Sequence, residues 1–177
     1  MRVFGFAGMS GSGKTTLIEQ LIPRFVMEGL RVSVIKHAHH DFDIDRPGKD
    51  SWRHREAGAT EVMITAGHRW VLMHELRGGP EPELPAHLER LSPCDLVLVE
   101  GFKRQPIPKL EIHRRAAGKP LLYPNDPHIV AVATDELLQA ALPQFGLEDY
   151  DAIAAFIIDH VGLGSATLLA AGPALQC

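Results

Sequence analysis

Residues 2–21 read RVFGFAGMSGSGKTTLIEQL, and the way the apolar run meets the glycines decides the fold. Arg2 to Ala7 is a short apolar stretch bounded by glycine, the pattern of a buried strand. Beyond the glycines, Leu17, Ile18, Leu21, Ile22 and Phe25 recur at helical spacing on one face, with Gly29 as a natural stop. Pro23 lies inside that helix and is expected to kink it, because it has no amide to donate. RVSVIK (Arg31 to Lys36) reads as a second strand. Strand, helix and strand in such short order make a βαβ unit, so the two strands should run parallel in one sheet.

The turn between strand and helix carries the first chemical signal. Gly8, Gly13, Lys14 and Thr15 fit the pattern G-x-x-x-x-G-K-[ST] directly after a strand and at the opening of a helix. Glycines let the backbone curl so that successive amides point inward, and the first helical turn adds amides without intrahelical partners and the positive end of the dipole. Such a cradle binds phosphates. Lys14 would place its charge on the β- and γ-phosphates, and the Thr15 hydroxyl is placed to ligate Mg²⁺. The candidate nucleotide-binding residues are Gly8, Ser10, Gly11, Ser12, Gly13, Lys14, Thr15 and Thr16.

Further along, CDLVLVEG (Cys94 to Gly101) is the most continuous buried-strand run in the chain. It delivers Glu100 to the carboxyl edge of a parallel sheet, where ligands bind in α/β folds. Magnesium beside phosphates takes one or two carboxylates, so Glu100 is expected to face the metal and, with Lys14, to form the candidate catalytic pair. PKLEIHR (Pro108 to Arg114) alternates apolar Leu110 and Ile112 with charged neighbours, as a half-exposed strand does. HIVAVATD (His128 to Asp135) is another buried strand, and Ile153, Phe156, Ile157 and Val161 mark a last amphipathic helix. Around Ala66-Gly67-His68, two apolar runs within Glu61 to Leu76 have the signature of an antiparallel hairpin.

KHAHHDFDIDRPGKDS (Lys36 to Ser51) follows the second strand and holds three histidines and four aspartates. Three readings stand: a transition-metal site from His37, His39 and His40, a solvated loop, or a wall of the nucleotide site. Adjacent His39 and His40 point to opposite sides of an extended chain, which works against convergent ligation. The favoured reading has Asp50 first and Asp43 second completing the magnesium shell with Thr15 and Glu100. Asp50 also reads as the N-cap of a short helix ending near Gly58.

Composition bounds the rest. At 177 residues, 45% apolar and 23% charged, the chain suits one soluble domain over 1–161 followed by a tail over 162–177. Lys plus Arg number 18 against 22 Asp plus Glu, a net −4 that leaves no positive excess for nucleic acid or an anionic membrane. Two cysteines, Cys94 and Cys177, give no disulfide framework, and no segment reads as a signal peptide or a membrane span. The expectation is a cytoplasmic α/β protein of the P-loop NTPase-like, three-layer kind, with a mostly parallel sheet and an antiparallel hairpin extension.

Taken in order, GMSGSGKTTL, KHAHHDFDIDRPGKDSWRHREAGA, DLVLVEGFK, PKLEIHR and AVATDE resemble the signature blocks of the molybdopterin-guanine dinucleotide biosynthesis protein B (MobB) family. The resemblance spans residues 2 to about 136. It implies a GTP-binding accessory protein with Mg²⁺ as cofactor and at most slow GTP hydrolysis. Such a protein associates as a homodimer and works beside a separate molybdopterin guanylyltransferase of the MobA type, with molybdopterin itself a further candidate ligand. Guanine preference is implied by the resemblance alone: where GTP-specific proteins often carry Asn-Lys-x-Asp, this chain has ATDE, leaving Asp135 as the candidate reader of the base without a stacking lysine. A second class of function also fits a phosphate loop with a strand-terminal Glu-Gly, namely a small-molecule kinase or an ATP-dependent ligase resembling dethiobiotin synthetase. Arg114, Arg115 and Lys119 would then belong to its lid.

Overall fold

A computed structural model describes residues 1–38 and 42–164, so His39, His40 and Asp41 and the tail from 165 lie outside the described residues. The chain forms two compact units, one from Met1–His37 together with the chain from Leu88 on, the other from Ala38–His87. The expected single domain over 1–161 spans both.

The first unit is built on a six-stranded parallel sheet. Its strands are β1 (Arg2–Ala7), β2 (Val32–Lys36), β5 (Leu96–Glu100), β6 (Lys109–His113), β7 (Ile129–Thr134) and β8 (Gln144–Phe145), in the order β2-β5-β1-β6-β7-β8. Helix α1 (Lys14–Met27) buries Leu17, Ile18, Leu21 and Phe25, and α4 (Tyr150–His160) buries Ile153, Ala154 and Ile157. Both stripes meet Phe4, Phe6, Leu98, Leu110 and Ile112 in one core. Truncating such a fully buried leucine to alanine costs about 2–5 kcal/mol. Helix α1 closes as its sequence suggests. Gly29, at φ 78°, lets its own amide reach Val26 O and the Leu30 amide reach Phe25 O, which satisfies two carbonyls of the last turn.

On the other face, β1 and β6 meet the connecting segments on either side of β6. Here the reading of PKLEIHR as half exposed is corrected, because all five residues of β6 are buried. Lys109 is 1% exposed, and its ammonium donates to Lys103 O (2.9 Å) and Gln105 O (3.0 Å) and pairs with Asp126 (2.6 Å). Glu111, equally buried, accepts from the amides of Leu122 (2.7 Å) and Tyr123 (2.8 Å). His113 meets Glu136 at 3.1 Å. The charged alternation thus marks a face that pins down two loops, 101–108 and 114–128, each buried charge being paired or hydrogen-bonded as burial requires.

In the second unit, α2 (Asp50–Glu56) precedes the hairpin of β3 (Glu61–Ala66) and β4 (Arg69–His74), which forms an antiparallel sheet of its own; α3 (Leu84–Leu88) follows. Lys49, and not Asp50, is the N-cap of α2; Asp50 is its first helical residue, so its carboxylate acts on the first turn through the dipole. On one face of the hairpin Met63, Trp70 and Leu72 are exposed, with Met63 opposite Leu72 and Thr65 opposite Trp70.

Candidate functional site

Strand β1 ends at Ala7 and the chain turns at once through Gly8. Its φ of 147° is a region that side chains rarely adopt, and a Cβ there would lie 2.6 Å from both Ile112 O and Ser12 Oγ. Only glycine permits this close passage over β6. Helix α1 then starts from Gly13, in the left-handed region, with no side-chain cap and no acidic residue in its first turn. Its first amides are therefore open to an external acceptor. Lys14 folds back over the loop, donating to Gly8 O (3.1 Å) and Met9 O (2.9 Å). Burial lowers its pKa; Glu100 opposes this, while Lys103 and Lys36 add to the lowering. An ammonium disfavoured by its surroundings gains from an anion placed beside it.

Glu100 and Thr15 come together across 85 residues of sequence. The Thr15 hydroxyl lies 3.0 Å from Glu100 Oε1 and 3.2 Å from Oε2, donating into the carboxylate. Strand register explains the meeting, since Glu100 is the last residue of β5 and pairs with Phe6 of β1, two residues before Gly8. A hydroxyl and a carboxylate at this spacing are the oxygen donors that a hard divalent cation takes beside a phosphate.

Two participants were given no such role by the sequence reading. Lys36, in register with Glu100 on the neighbouring β2, places Nζ 3.5 Å from Glu100 Oε2 and 3.4 Å from Thr15 Oγ1. The signal was available: a lysine ends one apolar strand as a glutamate ends the next. Arg114, weighed as part of a lid, instead donates from Nε to Ser12 O (3.1 Å), and its guanidinium lies 3.3 Å from where a Gly13 Cβ would stand. Ser10, Gly11, Ser12 and Thr16 lie in the same loop and first turn, and Ser12 Oγ is buried without a hydrogen-bond partner. Asp135 follows the end of β7 and accepts from the Arg115 amide at 2.8 Å, which orients one of its oxygens.

Asp43, Asp45 and Asp50, from the loop that follows β2 and the start of α2, belong to the second unit. Asp43 pairs with Arg55 at 2.7 Å, Asp45 lies 3.5 Å from the same guanidinium, and Glu75 accepts from it at 3.0 Å. Arg55 holds the Asp43 carboxyl below the usual range. Asp50 is exposed, with Arg53 at 3.9 Å. Among the described residues no three His, Cys, Asp or Glu side chains group as a metal site. Within those same residues, no helix is long and apolar enough to cross a membrane.

A parallel sheet whose first strand feeds a glycine turn and an uncapped helix, with a lysine laid over the turn and a strand-end carboxylate on the following threonine, defines a phosphate-loop α/β protein. More narrowly, the chain belongs to the family described as molybdopterin guanine dinucleotide synthesis protein B (MobB), whose family model matches residues 3–135. It is 44% identical over 159 residues to the molybdopterin-guanine dinucleotide biosynthesis adapter protein of Haemophilus influenzae, covering 88% of this chain and 86% of that one. To the protein of the same name from Escherichia coli K12 it is 40% identical, over 89% and 91%. Among solved structures, a molybdopterin-guanine biosynthesis protein B superposes with a TM-score of 0.72 at 27% identity, over 89% of this chain and 99% of that one. A MobB homologue from Bacillus stearothermophilus gives 0.67 at 28%, over 92% and 99%.

Proposed function

We propose that this chain is a GTP-binding adapter of molybdopterin-guanine dinucleotide synthesis. The adapter role follows the relatives that carry this name over most of their length. The convergence of Lys14, Thr15 and Glu100 on one loop is the observation that carries nucleotide binding. In this reading the loop amides and Lys14 hold the phosphates, while Thr15 and Glu100 hold Mg²⁺. When bound, magnesium would neutralise phosphate charge. Asp50 and Asp43, expected to complete its shell, lie in the second unit, where Arg55 already engages Asp43.

Glu100 is also held by Thr15 and Lys36, which suits a ligand better than a base that must accept a proton from water; hydrolysis is accordingly slow. Asp135, steadied by the Arg115 amide, is the proposed reader of guanine. Partners in this reading are a guanylyltransferase of the MobA type and a second copy of the chain, the exposed face of Met63, Trp70 and Leu72 favouring the latter. Calorimetry of GTP against ATP with Mg²⁺ tests the proposal. GTP should bind at least about tenfold more tightly. Equal affinity would remove guanine specificity, and no binding of either at millimolar concentration would remove the site.

A further inference from the structure

A pocket of about 360 Å³ opens beside the start of the phosphate loop, bounded by Ala7, Lys103, Arg104, Leu122, Asn125 and Asp126. Its cationic wall is unusually well fixed. Immediately after Glu100 the chain passes through two left-handed residues, Gly101 (φ 96°) and Phe102 (φ 47°). A phenylalanine rarely adopts that conformation, which persists only where the surroundings impose it. Here they do. A Cβ on Gly101 would strike His37 Cβ at 2.7 Å, the Phe102 ring rests 4.9 Å from the His37 ring, and the Gln105 amide closes the turn onto Phe102 O. Beneath the turn, the buried Lys109 ammonium clamps the carbonyls of Lys103 and Gln105.

The charge balance of the pocket follows from the same residue. Asp126 lines it, and burial alone would raise the carboxyl's pKa. Lys109 at 2.6 Å and the His128 amide outweigh that and lower it. The aspartate is therefore neutralised from below, while exposed Lys103 and Arg104 face the pocket as uncancelled positive charge. Lys103 is also near enough to Lys14 to depress its pKa, which puts the pocket within electrostatic reach of the phosphate loop.

We infer that this pocket is a second anion-binding site, taking a small organic phosphate monoester whose phosphate pairs with Lys103 and Arg104 while Leu122 and Asn125 contact its organic part. The inference deepens the proposed function, on which it rests: it makes the chain a holder of two phosphorylated ligands side by side. Strain and a buried clamp are what such a site needs, because they fix the donors before the ligand arrives.

The test uses the full chain saturated with GTP and Mg²⁺, so that the phosphate loop is filled, and phenyl phosphate as probe, followed by calorimetry and ³¹P NMR. Phenyl phosphate should bind the loaded protein, more tightly than inorganic phosphate does. The double variant Lys103→Ala, Arg104→Ala should bind it at least about tenfold more weakly, since two charge-assisted contacts are lost. Both side chains are exposed, so thermal unfolding of the variant checks that the fold is kept. Unchanged binding in the double variant, displacement of the probe by GTP, or equal affinity for inorganic phosphate would each overturn the inference. Should GTP itself fail to bind, the proposed function falls. The pocket is then judged on nucleotide-free Lys14→Ala protein, where a probe signal abolished by the double variant supports it and no signal overturns it.

Discussion

Replacing Lys36 by methionine keeps the stem of the side chain and removes the ammonium that sits 3.5 Å from Glu100 Oε2 and 3.4 Å from Thr15 Oγ1. Both atoms are proposed metal ligands, so this lysine competes with any cation that would bind them. A monovalent and a divalent charge about 4 Å apart in a water-like medium repel by about 2 kcal/mol. The Lys36 side chain is 57% exposed and can swing aside, which reduces the measurable effect to about 1–2 kcal/mol. Without nucleotide, Lys36→Met should therefore bind Mn²⁺, read by electron paramagnetic resonance, about five- to thirtyfold more tightly than the parent chain. The gain should vanish in a Glu100→Gln background, because the two side chains act on one site and their effects cannot add. A change below about twofold, or an equal gain with and without Glu100, would refute the reasoning.

Other outcomes follow from the same geometry. Lys14→Ala should lose about a hundredfold in GTP affinity, the worth of a charged phosphate contact or two. Its stability should fall by no more than about 1 kcal/mol, since it gives up only hydrogen bonds to two loop carbonyls; unchanged affinity by calorimetry would contradict the site. Glu100→Gln should weaken GTP binding with Mg²⁺ about tenfold more than binding in chelator, and equal losses would make Glu100 structural. Lys109→Met breaks a buried ion pair and should cost about 3 kcal/mol in urea unfolding, the lower end for such a loss because Asp126 is 22% exposed; a cost under about 1 kcal/mol would refute it. The Asp126 carboxyl lies lower in the folded chain than in the unfolded one, so its contribution is present above the unfolded value and disappears as pH falls through the folded one. Stability should consequently fall less steeply below about pH 4 in Lys109→Met than in the parent, as followed by urea titrations.

Much of the site was legible because its signals are local. The turn from Gly8 to Thr15 is contiguous, and a glutamate ending an apolar strand can be read from LVLVEG alone. What resisted reading depends on partners distant in sequence. Lys109, Glu111 and His113 look like the wet side of a strand until the loops they hold are seen, because their acceptors and donors are backbone groups and side chains up to 23 residues away. Arg114 was visible as a charge, but its bond to Ser12 O spans 102 residues. Asp43 and Asp45 share a target that the sequence does not announce, the Arg55 guanidinium within their own unit. The short β8 carries only two residues, too few for any period to show.

Lys36, Glu100 and Phe6 stand in one row across β2, β5 and β1. Side chains alternate along a strand, so losing or gaining a single residue inside β5 would turn Glu100 to the far side of the sheet, away from Thr15. Connections other than the phosphate loop and the pinned segments 101–108 and 114–128 can lengthen without that penalty. Variation among descendants of this chain should accordingly accumulate as loop insertions, while the count of residues from Leu96 to Glu100 stays frozen, even where the individual apolar side chains are exchanged.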